Sequence, residues 1–206
     1  MQSTVNAPVL IYREDLTARR IRRVMDITLA SLLILAAAPF VLIACIAILC
    51  EDGRPVFFRQ RRAGRFERVF TIYKLRTMSK QLCGDAPSPT QSGDRRITKV
   101  GRLLRKTSID ELPQLFNVVR GDMSLVGPRP EMPIIIHRYE RWQHLRHLVF
   151  PGITCIWQTE CRSTVPLNRP EATELDLDYI RRSSLSLDAA LLVRTVASVV
   201  FTKGAY

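Results

Sequence analysis

Apolar and polar positions divide the chain into one long apolar block and a series of short alternating segments. Ile27 to Cys50 contains no charged residue. At about 1.5 Å rise per residue, that run as a straight helix would cross a hydrocarbon core of about 30 Å. Two short β-branched and aromatic runs follow, Val56-Phe57-Phe58 and Val69 to Tyr73, with Gly64 and Arg65-Phe66-Glu67 between them. They predict a hairpin within residues 55–78. Gly, Pro and Ser crowd residues 79–96, which read as a loop placed to act as a lid. Helices are expected over 97–106 and 110–120. Residues 121–133 are punctuated by Gly and Pro and read as an irregular loop. A further helix over 134–148 carries Trp142 and three His and ends at Pro151-Gly152. Helices over 171–182 and 186–201 complete the pattern, and there is no internal repeat. The last helix is mostly apolar but carries Asp188 and Arg194. Packing in the core is its default, and lying on a membrane surface is the alternative.

The charges flanking the apolar block constrain its topology. Arg19, Arg20, Arg22 and Arg23 precede it, and Arg54, Arg59, Arg61, Arg62 and Arg65 follow. The positive-inside rule puts both flanks in the cytoplasm, which a straight span cannot satisfy and a re-entrant hairpin can. Pro39 sits mid-run, where it removes a backbone donor and clashes with the preceding turn. Ala36, Ala37 and Ala38 before it would let two half-helices approach. Residues 19–50 therefore read as a membrane hairpin broken at Pro39, between an N-terminal arm (1–18) and a cytosolic domain (51–206). A bitopic helix kinked at Pro39 is the alternative. A signal peptide cleaved at the alanines is disfavoured, because Phe40 to Leu49 would stay on the mature chain.

Composition narrows the partners. The chain has 206 residues, with Lys+Arg 31 against Asp+Glu 19 and a net charge of +12. Mean hydropathy is +0.02. The apolar content excludes a disordered chain, and the single apolar block excludes a polytopic one. Five Cys, an odd number without CxxC spacing, exclude a disulfide scaffold and read as reduced thiols. The excess of arginine calls for an anionic partner: nucleic acid, nucleotide or phospholipid headgroup. Nucleic acid has charge alone in its favour, since the aromatic residues form no stacking pattern.

Two segments carry candidate chemistry. Thr107-Ser108-Ile109-Asp110-Glu111-Leu112-Pro113 reads as a helix start. Either Ser108 and Glu111 form a capping box, or Asp110 is the cap and Pro113 lies in the first turn. Both readings put two carboxylates at a helix N-terminus, with Arg102, Arg105 and Lys106 near enough to favour their ionised forms. An ionised Asp among arginines can bind Mg²⁺ or attack a phosphorus held by the arginines. Simple helix capping is the plainer reading. Gly121 to Pro130 holds Arg129 between Pro128 and Pro130, which suits planar recognition of phosphate. His137, His144 and His147 would share one helical face, but Arg138, Arg141 and Arg146 disfavour a metal there.

Several motifs occur together and in order: Tyr73 to Met78, Asp94 to Thr98, Gly101 to Arg105, Ser108 to Asn117, Gly121 to Pro130, Pro151 to Thr154, Leu175-Asp176 and Lys203 to Tyr206. With them the chain, from Arg19 to Tyr206, resembles the bacterial sugar transferases that load a phosphosugar onto a polyprenyl phosphate, the monotopic phosphoglycosyl transferases. The resemblance implies a mainly α fold with a small β-hairpin, a re-entrant helix-break-helix and a cytosolic catalytic domain with amphipathic helices. It implies an Asp-Glu dyad, Asp110 and Glu111, acting with Mg²⁺ held by Asp110. Lys74, Arg76, Arg96, Arg105, Arg129 and Arg162 are the implied substrate-binding cations. The implied reaction is ping-pong: the Asp attacks the β-phosphate of a UDP-sugar, UMP leaves, and polyprenyl phosphate takes the phosphosugar. The implied place is the cytoplasmic face of the bacterial inner membrane, at the first step of exopolysaccharide or capsule repeat-unit synthesis. Partners would be the UDP-sugar, polyprenyl phosphate and membrane lipid, not nucleic acid, with a homo-oligomer left open. The chain departs from the family pattern at Ala38 (often Ser), Cys155 (usually Gly) and Cys161 (often Gly). These departures motivate the alternative of a catalytically weak or inactive membrane scaffold. The chain also lacks the multi-span N-terminal region of larger relatives and reads as the minimal form.

Overall fold

The structure, a computed structural model, describes residues 15–80, 94–161 and 169–200. Most of the expected arm and lid, together with Cys83, Arg162 and Lys203 to Tyr206, lies outside these residues.

The apolar block forms most of α1, Leu16–Asp52. Asp15 starts it by accepting hydrogen bonds from the backbone N–H of Thr17 (2.8 Å) and Ala18 (3.3 Å). Gly53 ends it at φ +67°, a backbone state that few other residues adopt. The helix thus begins earlier than expected, and it continues through Pro39 without interruption. Pro39 removes one donor, but apolar surroundings offer the neighbouring peptide groups no better partners than the helix itself.

The expected hairpin is present. β1 (Phe57–Ala63) pairs antiparallel with β2 (Val69–Leu75), in a register running from Phe57 opposite Leu75 to Ala63 opposite Val69. Next come α2 (Lys99–Thr107), a 3₁₀ segment (Ile109–Gln114) and α3 (Leu115–Arg120). The Gly- and Pro-punctuated stretch is not wholly irregular. It holds β3 (Ser124–Val126), which pairs in parallel with β4 (Gly152–Thr154). The helix expected over 134–148 is reduced to α4 (Pro133–Ile136) and a 3₁₀ segment (Gln143–Leu148). Its apolar residues answer to several neighbours rather than to one helical face. Helices α5 (Pro170–Arg182) and α6 (Leu185–Val200) lie where expected.

The main core joins Ala30 of α1, Ile72 of β2, Val118 of α3, Leu125 of β3, Leu177 of α5 and Leu191 of α6. A second cluster sets Ala44 and Ile48 of α1 against Leu75 and Leu104. Both halves of α1 therefore rest on the same body. Polar ties reinforce each end. Arg23 donates to the carbonyls of Val118 and Val119, and Asp26 accepts from Ser124 and the Leu125 N–H. At the far end Asp52 pairs with Arg76, and Glu51 accepts from the N–H groups of Lys99 and Val100. The rest of the helix surface is apolar and open, with Leu35 73%, Leu42 62% and Ile43 65% exposed. Only 11% of its most apolar window is buried, so α1 is not the core helix of a water-soluble body. So large an open apolar surface fits membrane association.

Candidate active site

Ser108 closes α2 rather than opening the next helix. It takes a left-handed conformation (φ 56°) and donates its N–H to the carbonyls of Arg105 and Leu104. Its side chain makes no cap, and Asp110 lies inside the 3₁₀ segment, so neither expected capping arrangement forms. The αL turn at Ser108 and the tight 3₁₀ rise turn the two carboxylates onto β2 and the Arg129 loop instead.

Glu111 is gripped from two sides. Lys74 of β2 donates to its Oε1 at 2.7 Å, and Arg129 Nη2 donates to the same oxygen at 2.9 Å. Burial favours the neutral acid, but Lys74 and Arg129 outweigh it and hold this carboxyl well below the usual range. Burial lowers Lys74, against the pull of Glu111. Glu111 is the main cause that raises Arg129.

Asp110 is the opposite case. It is 8% exposed and receives no hydrogen bond from any described residue. Burial, and then the adjacent Glu111 charge, push it up to about 6, against Lys74, Arg105 and Arg129. The neighbouring cations therefore lower Glu111, while Asp110 stands above the ordinary value and is anionic only above about 6. Desolvation and a neighbouring anion outweigh the cations there.

Arg129 stands on a built support. Its Nη1 donates to Gln158 Oε1 at 3.0 Å. Its backbone carbonyl accepts from Arg146 Nη2 at 2.9 Å. Arg146 also donates to Tyr139 Oη (2.6 Å) and pairs with Asp176 (2.6 Å). Arg146 and Asp176 are 2% and 3% exposed, and burial pushes Asp176 up to about 6 despite its partner. The strands beneath approach closely: a Cβ on Gly127 would lie 2.3 Å from the Phe150 carbonyl oxygen, and one on Gly152 2.1 Å from the Gly127 nitrogen. Only glycine permits the β3–β4 pairing that presents Arg129.

Lys74, Arg105 and Arg129 thus gather at the dyad. Arg105 Nε also donates to Thr77 Oγ1 at 2.9 Å, where Gly101 packs so tightly that a Cβ would lie 2.1 Å from the Thr77 carbonyl oxygen. Of the other expected cations, Arg162 lies outside the described residues, and Arg76 and Arg96 are paired with acids other than the dyad. Arg76 is 7% exposed and bonded to Asp52 and to the carbonyls of Asp52 and Gly53, so it secures the end of α1. Arg96 forms an ion pair with Asp94. Pro39 is exposed on α1. The three His do not share a helix. His144 pairs with Glu67, and burial lowers His147 to about 4. Cys155 is 2% exposed, and burial pushes its thiol up to about 12, so it is an inert thiol beside Trp157 and Ala172.

Residues unforeseen from sequence support the site. Asn117, fully buried, accepts from the Tyr73 N–H and donates to the Thr71 carbonyl, fixing β2 beside Lys74. Gln158 and Arg146 were equally hidden, because their partners are remote in sequence.

No group of three His, Cys, Asp or Glu side chains among the described residues could hold a metal ion. The acid Asp110, without a hydrogen-bond donor among them, nevertheless fits Mg²⁺. That ion is commonly held by one or two carboxylates together with substrate phosphates and water.

Comparison with known proteins agrees with the motif pattern. The family model described as bacterial sugar transferase matches residues 17–202. The UDP-glucose:undecaprenyl-phosphate glucose-1-phosphate transferase of Caulobacter vibrioides is 43% identical over 192 residues, covering 90% of this chain and 72% of that protein. The undecaprenyl-phosphate glucose phosphotransferase of Komagataeibacter xylinus is 38% identical over 195 residues, covering 90% and 37%. The UDP-N-acetylgalactosamine-undecaprenyl-phosphate N-acetylgalactosaminephosphotransferase of Aeromonas hydrophila is 38% identical over 189 residues, covering 90% and 45%. The chain thus spans less than half the length of the last two.

Proposed function

The chain belongs to the bacterial sugar transferase family, and from that premise we propose that it transfers a sugar-1-phosphate from a UDP-sugar to undecaprenyl phosphate. The observation that carries the mechanism is the asymmetry of the dyad: Glu111 is clamped by Lys74 and Arg129, while Asp110 has no donor among the described residues and a raised pKa.

Asp110 is the nucleophile. One of its carboxylate oxygens forms a bond to the β-phosphorus of the UDP-sugar. The bond from that phosphorus to the oxygen bridging the two phosphates breaks, and UMP leaves with the electron pair. A phosphate oxygen of undecaprenyl phosphate then attacks the same phosphorus. The acyl-phosphate bond breaks, restoring the Asp110 carboxylate and giving the lipid diphosphosugar. Glu111 acts as the fixed anion that orients Lys74 and Arg129. These two and Arg105 supply the positive field for charge developing on the diphosphate. Mg²⁺ would be held by Asp110 and the substrate phosphates, and when bound it would neutralise diphosphate charge.

The same reading puts the protein on the cytoplasmic face of the inner membrane with both ends of α1 on that side. Its support is that both ends of α1 are tied to one body, which a helix crossing the bilayer would not allow. Exopolysaccharide or capsule synthesis is the corresponding process.

Incubating wild-type protein with UDP-sugar labelled in the β-phosphate, without lipid acceptor, should leave label on the protein and release UMP. Asp110→Asn should fold and do neither. Label persisting in Asp110→Asn would overturn the assignment. UMP release that requires acceptor, with no labelled protein, would favour direct displacement.

A further inference from the structure

Residues 128–131, Pro-Arg-Pro-Glu, carry Arg129 to the dyad. Pro128 and Pro130 have no N–H and a fixed φ, so this stretch meets its neighbours mainly as an acceptor. Each of its four carbonyls accepts from a donor elsewhere in the chain. The Gly152 N–H donates to the Pro128 carbonyl and the Ala63 N–H to the Glu131 carbonyl, both at 2.9 Å. The two carbonyls between them take side chains instead. Arg146 Nη2 donates to the Arg129 carbonyl at 2.9 Å, and Arg62 Nη1 to the Pro130 carbonyl at 3.1 Å. Arg146 belongs to the support already traced through Tyr139 and Asp176. Arg62, on β1, is the other side-chain hold and has no role in the dyad itself.

The hairpin register puts Arg62 there. In an antiparallel pair, opposed residues share a face, and so do residues two apart on one strand. Phe58 opposes Lys74, Gln60 opposes Ile72 and Arg62 opposes Phe70. Lys74, Gln60 and Arg62 therefore lie on one face, which delivers Lys74 to Glu111 and Arg62 to the Pro130 carbonyl. Arg62 Nη2 also donates to Gln60 Oε1 at 2.6 Å, and Gln60 Nε2 donates to Met132 Sδ at 3.2 Å, so the same group of side chains reaches the next part of the loop. The placement is costly. The Arg62 side chain is 15% exposed, its acid Glu131 stands 3.9 Å away, and its Nε is buried without a hydrogen-bond partner among the described residues. Burial, and then the charge of Arg129, lower it to about 10. A neutral donor would satisfy the Pro130 carbonyl without that desolvation. What a guanidinium adds is a planar fork that fixes two acceptors at once. We propose that Arg62 is a positioning residue for Arg129: by holding the Pro130 carbonyl and Gln60 together, it fixes the backbone that aims the Arg129 guanidinium at Glu111 and the diphosphate. The proposal rests on the transferase reading and adds to it a residue that acts through Arg129.

The test is a double-mutant cycle on UMP release by full-length protein, with undecaprenyl phosphate present and the UDP-sugar concentration varied. Its corners are wild type, Arg62→Lys, Arg129→Lys and the double variant. Lysine keeps the charge facing Glu131 but cannot grip two acceptors as a plane. Arg62→Lys should lower kcat about fivefold, with KM for the UDP-sugar changed less, and should cost little more in Arg129→Lys, where the group it orients is already gone. Losses that multiply independently would overturn the proposal. So would a wild-type kcat in Arg62→Lys, which would leave the Arg62 charge alone at work. Gln60→Ala keeps that charge and removes one of its acceptors, which covers an Arg62→Lys protein that folds poorly. Its loss of kcat should be smaller and should likewise vanish in Arg129→Lys; an equal loss in both backgrounds counts against the proposal. A measurement without turnover separates the proposal from the transferase reading. The guanidinium N–H signals of Arg129 in NMR spectra, identified by their absence in Arg129→Lys, should exchange with water severalfold faster in Arg62→Lys. Unchanged exchange overturns the positioning role. Faster exchange, with a wild type that releases no UMP from any UDP-sugar, would overturn the transferase reading and keep the hold on Arg129.

Discussion

Two adjacent acids at the dyad carry different protonation behaviour because their surroundings differ. Glu111 shares one oxygen between two cations, whereas Asp110 is buried beside that anion with no donor among the described residues. A nucleophile at about 6 is anionic above that pH and loses its charge as pH falls through it. The acid limb of kcat/KM for UMP release should therefore lie near 6 rather than near the ordinary 3.8. Asp176 is pushed to about 6 as well. A limb that persists in Asp176→Asn assigns it to Asp110, and a limb lost there reassigns it. The same shift implies that ionising Asp110 costs the fold stability as pH rises from 3.8 towards 6. Arg129 bridges Glu111 and Gln158 with separate nitrogens, and Arg105 holds Thr77 while facing Asp110. Lysine keeps the charge of either but cannot make the fork. Arg129→Lys and Arg105→Lys should each lower kcat at least tenfold, about 1.4 kcal/mol of transition-state stabilisation. Near-normal turnover in both would show these arginines to be structural.

Helix α1 is the element whose sequence and surroundings conflict most. Its composition suits a span, yet its ends are fastened to one body, at α3, β3 and Arg76, just past β2. Single cysteines at Thr17 and Arg54, in a background without native Cys, should both be shielded from a periplasmic thiol reagent. Labelling at one position alone would establish a true span and separate the two ends. The short elements show the reverse. β3 and β4 have three residues each and exist only because Gly127 and Gly152 let two backbones touch. Neither has an alternating pattern long enough to announce itself. The helix expected over 134–148 is split into α4 and a 3₁₀ segment, with Trp142 and Leu145 packed on the main core and Ile134 left 65% exposed.

The molecule as a whole is a basic body with a net charge of +12 carrying an open apolar helix surface. Charge alone would hold it to anionic lipid only at low salt, since exposed charges are screened within about 3 Å at 1 M. Apolar insertion is not screened. The protein should stay in the membrane fraction through a high-salt wash and leave it only with detergent. Release by salt would show that the arginine flanks, and not α1, hold it there. What the sequence determined by itself is what short-range chemistry encodes: the apolar helix, the Gly64 hairpin, α5 and α6, and the Asp110-Glu111 pair with Arg105 near it. Each is written in a local period or a contiguous motif. The tertiary structure alone decided that Lys74 reaches Glu111, that Arg76 secures Asp52, and that Arg146 and Asn117 support the site. It also decided that Asp110 is raised where its neighbour is lowered. Those outcomes depend on burial and on partners remote along the chain, and a carboxyl group's pKa follows the charges and solvent around it, not the residues beside it in sequence.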